Sequence, residues 1–260
     1  MAITEVFPNP TVKQVFFEVK FPHLFFIESK IGDLQLKVMD EFPNSALGFE
    51  RQLVLKQYKE QEGKNDSLPQ TDEDSVRKIW QFISEKKYKF EVTSNSLVIF
   101  SKFHKTYNLD GGDKFRDIIK FIMDNFLEVI RIPVLNRIGL RYVDECPLPS
   151  KDNDTFKEYY SSVFPIDRFN IADVEEMLFR TVVKRGDFNL IYLETLQKKN
   201  DDYKLILDFD GFAKKIPSNN YIEVTDQLHK IISDEYQKTI NQPVYEYMRQ
   251  KKEKKNVQGK

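Results

Sequence analysis

The sequence predicts an α+β fold of two similar halves, each an antiparallel β-sheet packed by a long amphipathic helix. Three observations carry this. Alternating apolar and polar runs follow one another at hairpin spacing, as antiparallel strands do. Two long segments carry apolar residues at helical spacing. Each of those segments comes after a run of strands, the order expected of an α+β chain. With 260 residues, 40% of them apolar, the chain is long enough for a sizeable core.

The elements follow in order. Val15-Phe-Phe-Glu-Val-Lys-Phe21 alternates, with Phe17, Val19 and Phe21 on one face and Phe16, Glu18 and Lys20 on the other, and Pro22 ends it. Ile31, Leu34, Val38, Met39 and Phe42 recur near every 3.6 residues and predict a helix closed by Pro43. Leu53–Leu55 is expected as a short strand and the polar stretch 59–75 as a surface loop. Strands are predicted at Ile79–Ser84, Lys87–Thr93 and Ser96–Lys102, with Ser94-Asn95 as hairpin turn and Trp80 in the core.

The clearest helix runs from Asp113, its expected N-cap, to Arg131, with Phe115, Ile118, Ile119, Ile122, Phe126, Val129 and Ile130 as one stripe before Pro133. Arg137–Val143 alternates again, Leu140 and Tyr142 on one face and Arg137, Gly139, Arg141 and Val143 on the other. The Pro-containing stretch Pro147–Asp154 reads as a junction and divides the chain into residues 1–146 and 147–260. Beyond it, Glu176–Arg185, Phe188–Gln197 and Lys204–Phe212 predict three more strands, with a tight turn at Gly186-Asp187. A last helix is expected from Thr225 as N-cap, buried through Leu228, Ile231, Ile232, Tyr236 and Ile240. A solvated basic tail follows over 249–260.

Composition narrows function. Forty basic and 41 acidic residues leave a net charge of −1, so no overall field favours nucleic acid or a membrane surface. The start of the chain lacks a secretory signal pattern and no apolar run is long enough to span a bilayer. With a single cysteine, Cys146, this leads us to expect a cytoplasmic protein and an inert thiol. Only nine glycines occur, and no phosphate-binding glycine motif is present.

Asp208 and Asp210, two apart on a strand, share a face, and such a pair could hold Mg²⁺ for phosphoryl transfer. The plainer expectation is two charges on a solvent face. Arg137 and Arg141 also share a face, about 13 Å apart; they are candidate anion-binding residues, or cross-sheet partners of the two aspartates. His23, His104 and His229 form no ligand pair and are expected to be structural or at the surface. Lys87-Tyr-Lys-Phe90 mixes bases and aromatics as a nucleic-acid platform does, but its alternation fits a half-buried strand.

Taken together, Gln14–Pro22, Phe42-Pro43, Trp80–Ser84, Arg137–Val143, Leu207–Asp210 and Leu228–Ile232 resemble a sporadically distributed bacterial family of uncharacterised cytosolic proteins of about this length. The resemblance implies no activity, cofactor or catalytic residue, and a genomic setting among mobile or defence loci. The expectation is therefore a non-catalytic binding or regulatory protein, without cofactor, that acts through a protein partner or as a dimer. The alternative is a Mg²⁺-dependent phosphoryl-transfer or nuclease-type enzyme built on Asp208 and Asp210. A third expectation is an apolar ligand cavity under one of the long helices.

Overall fold

The computed structural model describes residues 5–52, 75–199 and 202–251. It contains five α-helices and one nine-stranded antiparallel sheet. The strands are β1 (Val12–Lys20), β2 (Asn44–Gln52), β3 (Ser75–Ile83), β4 (Tyr88–Val92), β5 (Ser96–Ser101), β6 (Val134–Leu148), β7 (Met177–Arg185), β8 (Phe188–Lys199) and β9 (Asp202–Pro217). The helices are α1 (Ile31–Val38), α2 (Phe115–Val129), α3 (Asn153–Tyr159), α4 (Tyr221–Thr239) and α5 (Gln242–Arg249).

The sheet order is β2-β3-β4-β5-β1-β6-β9-β8-β7. Where the sequence predicts one sheet per half, all nine strands join in one. The reason is β1, which pairs with β5 on one edge and with β6 on the other, Phe17 opposite both Ile99 and Leu140. The predicted junction at 147 lies inside β6, which pairs with β9 as far as Leu148 opposite Tyr203.

Strand alternation decides where the core sits. Val15, Phe17 and Val19 of β1 lie beside Ile138, Leu140 and Tyr142 of β6, and these beside Phe209, Gly211 and Ala213 of β9. This face is buried under the helices. α1 and α2 cover its β4–β1 side, with Phe42 edge-on to Phe90 and Phe126 against Phe21. α4 covers β6, β9 and β8. A Cβ on Gly211 would stand 3.4–3.5 Å from Ile232 and Leu228, ordinary van der Waals contact, which shows how closely α4 is seated on β9. Tyr88 and Phe90 are buried on this face too, so no stacking platform exists at 87–90.

Several expectations need correction. Asp113 does not cap α2; Lys114 occupies that position without a side-chain bond. α4 begins at Tyr221, four residues before Thr225, whose hydroxyl is instead satisfied inside the helix by the Tyr221 carbonyl at 2.6 Å. Pro243 does not merely interrupt a helix: it sits in the first turn of α5, where its missing N–H costs nothing. α3, capped by Asp152 through the Thr155 N–H at 2.8 Å, has no counterpart among the predicted elements. The expected strand at 53–55, most of the loop 59–75 and the tail beyond 251 lie outside the described residues. Among the described residues, no helix is long and apolar enough to cross a membrane.

Candidate functional site

The four residues singled out from sequence all lie on the open face of the sheet, opposite the helices. There they pair. Arg141 grips Asp208 with two bonds of 2.8 and 2.6 Å, and Arg137 reaches both oxygens of Asp210 at 2.9 Å and also Glu18 of β1. Gly139 makes this possible, since a Cβ there would collide with the Arg137 guanidinium, which lies flat over it. Phe212 flanks Arg137 at 4.9 Å and Phe16 flanks Arg141 at 5.4 Å. Burial holds the Asp210 carboxyl above its ordinary range, against the pull of Arg137, while the bond to Asp208 raises Arg141 further. The pairing read as the plainer option from sequence is thus the geometry observed.

That pairing bears on the metal alternative. Both oxygens of each aspartate are taken by a guanidinium, and a divalent ion would have to displace it. No group of three or more His, Cys, Asp or Glu side chains that could hold a metal occurs among the described residues.

The helix-covered face holds a different constellation: a cavity under a long helix is among the expectations from sequence, but the polar residues that line it are not. A cavity of about 510 Å³ opens beneath α4, beside the start of β1 and the middle of β6. Its roof is Asp226, His229, Ile232, Ser233 and Tyr236 of α4, and its floor is Thr11, Tyr142 and Asp144. The mouth is formed by Glu5–Phe7, the 105–109 loop and Met248 of α5. The N-terminal segment is held there by the Asn9 N–H on the Met248 carbonyl at 3.0 Å and by Arg249 on Glu5 at 2.6 Å.

Inside, Thr11 Oγ1 donates to Asp144 Oδ1 at 2.8 Å and lies 2.7 Å from the Tyr236 hydroxyl. Because Thr11 has one proton and gives it to Asp144, Tyr236 is the donor in the second contact. The Tyr142 hydroxyl is buried, its residue 7% exposed, with no hydrogen-bond partner among the described residues. His229 stacks on Tyr107 at 4.2 Å and 13°, and lies 5.9 Å from Tyr142. Tyr107 in turn donates to Asp226 at 2.6 Å, which Arg116 of α2 grips at 2.8 and 2.9 Å.

Burial dominates the electrostatics. It pushes Asp144, 3% exposed, from 3.8 to about 7, against the Thr11 bond and the charges of Lys105 and Lys13. It lowers His229 from 6.5 to about 4, so the ring is neutral at pH 7. Asp226 is also partly buried, yet Arg116 and Tyr107 hold it below its ordinary value.

One signal for this site exists in the sequence. The alternation of Leu140 and Tyr142 continues to Asp144 and Cys146, which places a carboxyl on the apolar face of a strand. Ending the strand at Val143 hid it. The other predicted residues fall as expected: His104 is buried, its Nδ1 2.8 Å from the Ser101 hydroxyl, and burial lowers it to about 4. His23 is exposed beside Phe25. Cys146 is fully buried, which pushes its thiol well up and away from reactivity.

Comparison of the chain with protein-family models, with curated proteins and with solved structures finds no match.

Proposed function

We propose that this protein is a non-catalytic binding protein that holds a small organic molecule in the cavity beneath α4. The observation that carries this reading is the Tyr142 hydroxyl, buried at the cavity floor with no hydrogen-bond partner among the described residues. Leaving a buried polar group unpaired costs about 1–3 kcal/mol, a cost that a bound molecule would remove. The volume suits a ligand of a dozen or more heavy atoms, and the walls mix apolar side chains with a few converging polar ones. A cytoplasmic setting accords with one buried thiol and no disulfide.

The test uses a neutral, environment-sensitive fluorophore, N-phenyl-1-naphthylamine, titrated into the wild-type protein and Ser233→Trp. Ser233 lines the cavity and is half-buried, so an indole there occupies the space without opening the core. Saturable binding of one equivalent to wild type, lost in a Ser233→Trp protein with native circular dichroism, is expected. Equal fluorescence enhancement in both would place the dye elsewhere and sink the reading.

A second reading, contact with a protein partner or a second copy, is favoured by large apolar side chains left in solvent. Phe25 is 92% exposed, Leu36 73%, Leu178 64% and Phe49 62%. For the second-copy form, sedimentation velocity is expected to show a dimer at micromolar concentration; a monomer across that range removes self-association.

A plan of two units is supported by recurrence of order. β1, α1, the β2–β5 meander and α2 are followed by β6, α3, the β7–β9 meander and α4. Under that plan the seam moves from 146/147 to the turn before β6.

A further inference from the structure

The cavity's chemistry narrows what it would hold. Three acids line it, Glu5, Asp144 and Asp226, against one lysine, Lys105. Glu5 is paired with Arg249 and Asp226 with Arg116, so the charge of both is met from the protein. Asp144 differs: its carboxyl has one hydrogen bond, from Thr11, and no ion pair with a described residue. It is the deepest charge-bearing group in the cavity, and it stands on the same strand face as the unpartnered Tyr142 hydroxyl, two residues away.

The rings around it add a second preference. Phe7, Tyr107, Tyr142, Tyr236 and the neutral ring of His229 all line the space. Aromatic faces attract a cation, most strongly where water is excluded, and a set of such rings beside one carboxylate is the chemistry that retains an ammonium group. An anion would meet Asp144 and the ring faces unfavourably. A neutral ligand would leave only the charges of Lys105 and Lys13 to offset Asp144 when it is ionised.

We infer that the ligand of this cavity is an organic cation, an ammonium bearing an apolar group, with its nitrogen between the Asp144 carboxylate and the Tyr142 hydroxyl and its apolar part against Phe7, Ile232 and Met248. This rests on the binding reading above. The N–H donors of such an ammonium can reach the Asp144 carboxylate and the Tyr142 oxygen together.

A pH signature follows. Asp144 is faced by Thr11 just before β1 and Lys13 of β1, Lys105 from the loop, Tyr236 from α4 and Met248 from α5. Tyr142 and Cys146 flank it on β6, and Asp208 acts on it from β9. With its carboxyl protonated below about pH 7, a cation must first expel that proton. Affinity should therefore fall about tenfold per pH unit below 7 and level off above it.

Three shape-matched probes decide the matter by calorimetric titration at pH 8: 2-phenylethylamine, 2-phenylethanol and phenylacetate. The amine is expected to bind at least tenfold more tightly than the alcohol, with phenylacetate weakest. Asp144→Asn, checked for native circular dichroism, should abolish the amine's advantage over the alcohol. The wild-type pH profile stands independently of that variant. If alcohol or acid binds as tightly as the amine, and Ser233→Trp still abolishes it, the cation class is wrong and the binding reading survives. If no probe binds, or Ser233→Trp changes nothing, both fall.

Discussion

Ile122→Asp is expected to unfold the whole described sheet in one transition. Ile122 is fully buried on α2, in the stripe with Phe115, Ile119, Met123 and Phe126. The substitution forfeits roughly 1.5–3 kcal/mol of apolar burial and asks the core to accept a carboxyl with no cation in reach. Together these are on the order of 5 kcal/mol, comparable to the total stability of an ordinary domain. The extent of unfolding is the informative part. β1 and β6 pair over most of the length of β1, so the α2 side and the α4 side share one sheet. Urea titration should show the fluorescence of Trp80, the chain's single tryptophan, and the far-ultraviolet circular dichroism falling together. Loss of the tryptophan signal with about half the dichroism retained would mean that the chain folds as two independent units.

Asp144→Asn is expected to stabilise the protein at pH 8 and not at pH 4. In the native state the Asp144 carboxyl holds its proton to about pH 7, against 3.8 in the ordinary case. An acid whose native pKa is raised is neutral in both states below the unfolded value. As pH climbs from about 4 to 7 the unfolded chain ionises first, and stability is lost over that window. The gap is worth about 4 kcal/mol above pH 7. Asn keeps an oxygen for Thr11 and carries no charge, so it recovers that loss. For a chain of this size the gain is on the order of 10 °C in melting temperature. His104 and His229 act with the opposite sign: lowered to about 4, they contribute stability above pH 6.5 that disappears as pH falls toward 4. The difference between variant and wild type cancels them and isolates Asp144. A variant less stable than wild type at pH 8 would show that the Thr11–Asp144 bond outweighs the buried charge.

Much of the architecture was legible because strand and helix periods are local. β1, β4, β5 and α2 lie where alternation and the 3.6 spacing place them, and the face assignments of Leu140, Tyr142, Arg137 and Arg141 hold residue by residue. The pairing of the arginines with Asp208 and Asp210 was foreseeable as an option, since residues on one face of adjacent strands must meet something. The boundaries were less legible. α4 starts at Tyr221 because packing of Tyr221 and Thr225 against the core outweighs the capping preference of threonine. α3 and α5 are short, and short helices owe their existence to what they dock on.

The chain by itself determined which side chains face inward on each strand and long helix, since that follows from the backbone period alone. Only the tertiary structure decided that the strands make one sheet, and that Thr11, Tyr142, Asp144, His229 and Tyr236 converge under α4. Those residues come from three parts of the chain far apart in sequence. The pairing of β1 with β6 and the seat of α4 on Gly211 bring them together, and both depend on contacts between distant parts of the chain that no local pattern encodes.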